Sequence, residues 1–336
     1  MKRLRIGLNG FGRIGRAFSR IVFDRNNFDI AAVNTSSTTA EMLSYLLKYD
    51  SVYRTYSKPI RVKADGFIVG EQAVSATTIP DPEKIPWEKN NVDIVIDCTG
   101  VFKKSTDLKK HLRGSVKKVI LTAPTEDESI PHIVLGANDD HFDFSVPIIS
   151  NASCTTNCAA VMTRVLDDYF KIKSGFLTTV HALTSSQQLL DNSAKKFTRA
   201  RGATLSIIPT TTGAAQAICK TTACEPEQLR AISLRVPVPI GSISDMSCIL
   251  EKETTVDELN KIFKRESETR LQGILGYEET PLVSSDYIGN PYSCVFDANY
   301  TQVLQGNFVK IFGWYDNEWG YSSRLVDLVE KLVSYI

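Results

Sequence analysis

The chain has almost no excess of charge: 39 Lys plus Arg stand against 38 Asp plus Glu, a net of +1 over 336 residues. Without a global field, nothing in the overall charge draws the protein to nucleic acid or to an anionic membrane, although local basic sites stay open. Long apolar runs are also missing, and no stretch approaches the length of a membrane span. The start, MKRLRIGLNGFG, is charged but carries only a short apolar run before Gly10, with no signal-peptide core or cleavage site behind it. Cysteines number seven, an odd count scattered from Cys98 to Cys294, which argues against a disulfide framework and for a reducing compartment, the cytoplasm. Of only four histidines, His111, His132 and His141 lie in polar surroundings, are expected at the surface and show no metal-ligand spacing. Repeats, low-complexity tracts and Pro-rich linkers are absent.

What is present is the composition of an ordinary globular protein, 43% apolar and 23% charged, in a chain long enough to favour two domains. A short strand (residues 4–8) runs through a glycine turn into a helix bearing Ile14, Phe18, Ile21 and Val22, and a second strand (29–34) follows. That is a βαβ unit. Further apolar runs at 92–98, 118–121 and 147–149 are continuous rather than alternating, as in a parallel sheet covered on both faces, so the first half reads as a doubly wound α/β sheet. After Cys154 the runs GFLTTVHAL, LRAISLRVPVP and SDMSCILEK are longer and more alternating, which predicts an α+β region with a mostly antiparallel sheet. A polar, basic passage at 185–206 is too long for a plain connector. The chain ends in an amphipathic helix after Gly320, with Leu325, Leu328, Val329 and Leu332 on one face, expected to pack back on the first domain.

Gly10, Gly12 and Gly15 form G-F-G-R-I-G between a strand and a helix. In that context the pattern is a dinucleotide fingerprint, because glycines let the backbone approach a pyrophosphate at a helix N-terminus. The fingerprint also calls for an acidic residue about 20 positions on, to bind a ribose 2′-hydroxyl. Thr35 stands there, followed by Ser36 and Ser37. A carboxylate would repel a 2′-phosphate, whereas hydroxyls can donate to one, so NADP is expected to be accepted alongside NAD.

The stretch SNASCTTNC holds two cysteines four residues apart among small polar residues. A metal clip, a redox couple and two buried small side chains all fit the bare spacing. Ser153, however, reads as the cap of a helix starting near Cys154, which places that thiol where the helix dipole and free N–H groups favour a thiolate. Cys158 lies a turn deeper and reads as packing. A nucleophile needs a base, and His181, at the end of the strand-like run FLTTV, is the histidine so placed.

In order along nearly the whole chain, LNGFGRIGR, LLKYDS, DCTGVF, SNASCTTNC, TTVHA, SIIPTTTGAA, RVPVP and WYDNEWGYS resemble the motifs of phosphorylating glyceraldehyde-3-phosphate dehydrogenases. The resemblance implies an NAD(P)-binding Rossmann domain over 1–152, a catalytic domain over 153–317 and a C-terminal helix over 318–336. It implies Cys154 as nucleophile and His181 as base. Thr184 and Arg235 would hold the substrate phosphate, Ser153, Thr155, Thr212 and Gly213 an inorganic phosphate, and Arg199 would lie between the two. Asn9, Gly10, Phe11, Gly12, Arg13, Ile14, Gly15, Asn34, Thr35, Thr99, Gly100 and Thr122 would line the cofactor, with Asn317 on the nicotinamide carboxamide and Tyr321 nearby. The implied reaction is oxidation of D-glyceraldehyde 3-phosphate through a cysteine thioester that inorganic phosphate releases as 1,3-bisphosphoglycerate, by a homotetramer.

Departures from the family pattern fall at Thr35, at Ser185 and Ser186, at Asn192-Ser193 and at Pro80. Ser193 matches a serine that NADP-using plastid relatives carry at a neighbouring subunit's cofactor, in line with Thr35. Erythrose-4-phosphate dehydrogenase is the nearest rival, disfavoured by Thr184 and Thr212-Gly213. A dinucleotide-binding protein without chemistry, or one whose role is contact with RNA or protein, is a reading of another class, against which Cys154, His181, Arg199, Arg235 and Asn317 stand together.

Overall fold

The computed structural model describes residues 3–336; Met1 and Lys2, the start of the expected first domain, lie outside the described residues. The chain divides into two compact units: the first holds the chain up to Ile133, His141–Ala152 and Leu325–Ile336, and the second holds Val134–Asp140 and Ser153–Arg324.

The sheet of the first unit has β1 (Arg5–Asn9), β2 (Asp29–Thr35), β3 (Ile60–Lys63), β4 (Gly66–Val69), β5 (Gln72–Thr78), β6 (Ile94–Asp97), β7 (Lys118–Leu121) and β8 (Ile148–Ser150). Their order is β3-β4-β5-β2-β1-β6-β7-β8. From β5 to β8 every neighbouring pair is parallel. Every residue of β6 and β7 is buried, which is why those strands read as unbroken apolar runs. The helices of this unit are α1 (Arg13–Arg25), α2 (Ala40–Lys48) and the short α3 (Ser105–Leu108). Ile85, Trp87, Val92, Val95, Leu108, Val119 and Leu121 belong to one buried core cluster.

Two features differ from the sequence reading. The antiparallel edge made by β3, β4 and β5 went unread, because β3 is only four residues long and mostly exposed, Val62 included, although Asp65-Gly66 at its hairpin is a turn signal. Nor are His111 and His132 surface residues: they are 0% and 5% exposed. His111 accepts from Trp87 Nε1 at 3.1 Å and its Nε2 lies 3.5 Å from Asp97, so tertiary packing overrides the polarity of its neighbours in sequence.

The second unit has β9 (Ile172–His181), β10 (Ile208–Thr211), β11 (Leu229–Arg235), β12 (Ser242–Leu250), β13 (Leu275–Glu278), β14 (Cys294–Leu304) and β15 (Phe308–Tyr315), in the order β10-β11-β9-β12-β15-β14-β13. Four of the six neighbouring pairs are antiparallel, the exceptions being β11 with β9 and β13 with β14. Its helices are α4 (Cys154–Phe170), α5 (Ala214–Cys219) and α6 (Val256–Glu268). The last helix, α7 (Trp319–Leu332), carries the chain back to the first unit. There Asp327 accepts from Arg25 at 2.5 Å, Glu330 from Asn27, and Tyr335 packs its ring 5.3 Å from that of Phe144.

Candidate active site

α4 starts at Cys154 because Ser153 is extended and its hydroxyl accepts from Thr156 N at 3.1 Å, the cap expected of a serine at that position. The thiol therefore occupies the first position of a 17-residue helix, where backbone N–H groups have no partner within the helix. Cys158, one turn on, is fully buried, with Sγ 3.6 Å from Gly313 O.

β9 ends at His181, whose Nε2 lies 3.4 Å from Cys154 Sγ. In the parallel pairing of β9 with β11, His181 stands directly opposite Arg235. That register sets Arg235 Nη1 2.5 Å from His181 Nδ1 and 3.3 Å from Ala182 O. Ala182 O is itself 2.7 Å from Nδ1. A neutral imidazole cannot satisfy both neighbours with one Nδ1. With its proton on Nδ1, donated to Ala182 O, Nε2 offers a lone pair to the thiol and acts as a base. With Nδ1 accepting from Arg235, Nε2–H points at the sulfur instead.

Burial governs the charges here. It pushes the Cys154 thiol up to about 11, against the opposing pull of the Arg235 charge and the N–H of Thr155. Burial first, and the Arg235 guanidinium second, hold the His181 imidazole down at about 3. Burial thus works against charge on either group, in opposition to the helix terminus, which favours a thiolate. The 3.4 Å contact of Cys154 with His181 provides the path for proton transfer between the two.

Around this pair the polar side chains form a linked set. Thr184 and Ser186 share a hydrogen bond of 2.9 Å, Arg199 Nη1 reaches Ser186 Oγ at 3.4 Å, and Arg199 Nε donates to Thr210 Oγ1 at 3.2 Å. Ser186, one of the departures from the family pattern, is thus the joint between Thr184 and Arg199. Arg235 Nε is buried and has no protein partner. Thr212 Oγ1 accepts from Ala214 N at 3.2 Å, and Gly213 caps α5. The Thr155 hydroxyl lies 3.0 Å from Tyr315 OH. Asn317 Oδ1 accepts from Gly241 N at 3.3 Å and from Ser242 Oγ at 3.1 Å, and Ser242 in turn accepts from Ala182 N. The oxygen of that carboxamide is occupied, so its NH2 is the end presented to a ligand. Tyr321 is buried, 4% exposed.

In the first unit, the strand ends around the glycine turn are laced together. Gly10 sits at φ +96 and its N–H donates to Asn34 O at 2.8 Å. Asn9 donates to Asp97 at 2.8 Å and accepts from Asn34 at 2.9 Å. Asp97, which sequence reasoning passed over, also accepts from Thr99 N and Oγ1, while its carbonyl accepts from Thr122. An acid ending a buried run, as in VDIVIDC, is the signal that could have found it. Gly100 is left-handed at φ +69. Arg13, in the first turn of α1, pairs with Asp50 of LLKYDS and covers the Tyr53 ring.

The three glycines have distinct reasons to be glycine. A Cβ on Gly15 would come within 2.7 Å of Gly10 O, and one on Gly10 within 2.8 Å of the Cys98 backbone. Around Gly12 nothing lies within 4 Å, and its φ of −74 suits any residue. The open side of Gly12 and the uncapped N-terminus of α1, with no acid in its first turn, fit a pyrophosphate. Phe11 is buried beside them and Ile14 half-buried. Thr35 ends β2 half-buried, its hydroxyl donating to Thr38 O and accepting from Thr38 N, both at 3.3 Å, while Ser36 and Ser37 are exposed. Ser193 is exposed on the long loop of the second unit.

Comparison with known proteins bears on both units. Residues 4–105 match the family model described as glyceraldehyde 3-phosphate dehydrogenase, NAD binding domain, and residues 153–317 the one described as its C-terminal domain. Glyceraldehyde-3-phosphate dehydrogenase 2 of Streptomyces avermitilis is 47% identical over 327 residues, 97% of each chain. Glyceraldehyde-3-phosphate dehydrogenase of Thermotoga maritima is 46% identical over 98% of this chain and 99% of its own. The cytosolic glyceraldehyde-3-phosphate dehydrogenase of Ginkgo biloba is 42% identical over 99% and 98%.

Proposed function

The chain belongs to the glyceraldehyde 3-phosphate dehydrogenase family, and on that premise we propose the chemistry its own residues perform: phosphorylating oxidation of D-glyceraldehyde 3-phosphate. The observation that carries this is the 3.4 Å contact of Cys154 Sγ with His181 Nε2 at the start of α4. His181 takes the thiol proton, and the sulfur attacks the aldehyde carbon. The oxyanion that forms is held by N–H groups at the first turn of α4 and by His181, now a donor. Bound NAD supplies the hydride acceptor. Loss of hydride leaves a thioester on Cys154, and attack by inorganic phosphate releases the acyl phosphate and restores the thiol.

Two anion subsites support that sequence of events. Thr184 and Arg235 offer a hydroxyl and a guanidinium group to the substrate phosphate; Ser153, Thr155, Thr212 and Gly213 are assigned to inorganic phosphate, with Arg199 between the two. With its oxygen held by Gly241 N and Ser242 Oγ, Asn317 would offer its NH2 to the nicotinamide carboxamide of bound NAD. The Thr184 hydroxyl and the Thr212-Gly213 turn favour this substrate over erythrose 4-phosphate.

NADP acceptance rests on the end of β2, where Thr35 to Thr38 contain no carboxylate, and on Ser193. Because the Thr35 hydroxyl is shared with Thr38, the exposed Ser36 and Ser37 are the better donors to a 2′-phosphate. A homotetramer is supported by the 185–206 loop, on which Leu189, Leu190, Phe197 and Leu205 are 71% to 96% exposed. All seven cysteines are free, and no helix among the described residues is long and apolar enough to cross a membrane, in keeping with the cytoplasm. Initial rates with D-glyceraldehyde 3-phosphate and phosphate, NAD and NADP side by side, test the reading. No turnover with either cofactor would overturn it, and an NADP kcat/KM thousands of times below that for NAD would remove the cofactor claim alone.

A further inference from the structure

Apart from Cys154, the chain's thiols differ in reach and company. Cys98 stands alone. Cys158, Cys248 and Cys294 are fully buried. Cys219 and Cys224 combine access with a partner. Cys219 is the last residue of α5 and half-exposed, while Cys224, in the turn that follows, is 3% exposed. Both sulfurs approach one acceptor, Glu225 O, at 3.4 and 3.6 Å, which brings the two thiols to the same side of that turn.

The turn is folded so as to bring them there. Thr221 and Thr222 return their hydroxyls to Ala217 O and Ile218 O at 3.0 and 2.9 Å, and Cys224 N donates to Thr222 Oγ1 at 3.3 Å. Two charges face Cys219: the Arg230 guanidinium, which favours a thiolate, and the Glu225 carboxylate, which opposes it. Cys224 Sγ donates to Glu225 O, so both thiols point at one carbonyl. A metal site is a poor alternative, since no group of three His, Cys, Asp or Glu among the described residues could hold an ion.

We propose that Cys219 and Cys224 form a redox-active dithiol, with Cys219 attacking and Cys224 resolving, that exchanges with small-molecule disulfides. The Cys219 thiolate attacks one sulfur of RS–SR; that S–S bond breaks, one RS− departs and takes a proton, and Cys219 carries a mixed disulfide. Cys224 then loses its proton to solvent and attacks the Cys219 sulfur, expelling the second RS−. Two protein thiols are oxidised to one disulfide and one external disulfide is reduced to two thiols, so no other electron acceptor is needed. The outer thiol attacks because it is the one a reagent reaches, and the buried one resolves because it lies behind it.

The test uses the full chain carrying Cys154→Ser, which removes the active-site nucleophile, with glutathione disulfide as probe. After exchange, free thiols are alkylated and the protein is cut with trypsin. Peptides 202–220 and 221–230, which hold one cysteine each, should emerge joined and separate on reduction. Recovery of both as alkylated peptides, or of glutathione retained on Cys219, would overturn the proposal. Adding Cys224→Ser should halt the reaction at glutathione on Cys219. Adding Cys219→Ser instead, a change at a half-exposed position, should leave Cys224 unmodified; glutathione on Cys224 there would overturn the order of attack. The readout is covalent mass, so it stands or falls independently of the dehydrogenase chemistry.

Discussion

Replacing His181 by Asn separates two sources of thiolate at Cys154. With the imidazole 3.4 Å from the sulfur, proton transfer from Cys154 to His181 leaves the total number of bound protons unchanged. The reactive form is then a constant fraction of the protein between the low titration of His181 and the high titration of Cys154, which the structure places at about 3 and about 11. Alkylation of Cys154 by a neutral reagent such as iodoacetamide should therefore be flat with pH across the neutral range in the natural chain. In the Asn variant the thiolate forms only by losing its proton to solvent. For a thiol held near 11, that is about one molecule in ten thousand at pH 7, rising tenfold per pH unit. The loss of a general base is worth roughly 10²- to 10⁴-fold in kcat at neutral pH, about 3–5 kcal/mol of barrier. Both curves come from stopped-time alkylation followed by mass spectrometry, with Cys154→Ser as blank. Parallel pH profiles for the two proteins would refute the assignment of His181 as base.

Cys154→Ser should abolish aldehyde oxidation while leaving cofactor affinity within about twofold, measured by fluorescence titration; substantial residual oxidation would sink the nucleophile. Gly12→Ala should keep its stability within about 0.5 kcal/mol, because nothing lies within 4 Å, yet lose NAD affinity as its methyl enters the space assigned to pyrophosphate. Gly15→Ala should instead destabilise the fold by about 1–3 kcal/mol, its methyl meeting Gly10 O, and a thermal melt distinguishes the two. Thr35→Asp should depress kcat/KM with NADP at least tenfold and leave NAD use intact; equal loss with both cofactors would show a folding defect rather than charge repulsion.

Much of this was legible in the sequence where local pattern and tertiary environment agree. The runs over β6, β7 and β8 are apolar because both sheet faces are covered, and Ser153 caps α4 by purely local chemistry. The rest depends on partners distant in sequence. His111 is buried because Trp87 and Asp97 receive it. The placing of the Thr155 hydroxyl depends on Tyr315, and the sharing of Thr35 with Thr38 depends on how the chain leaves β2. The motif order along the chain marked Cys154, His181 and Arg235 as companions. That Arg235 would touch the imidazole itself required the strand pairing.

That pairing fixes a reading frame. Because His181 and Arg235 are opposite partners in β9 and β11, each side chain owes its face to a count of residues along its own strand. One residue inserted within β11 would turn Arg235 to the other side of the sheet, although every motif would survive in order. Insertions should therefore not be tolerated in either strand, so the spacing along β9 and β11 carries information that no single residue in them does.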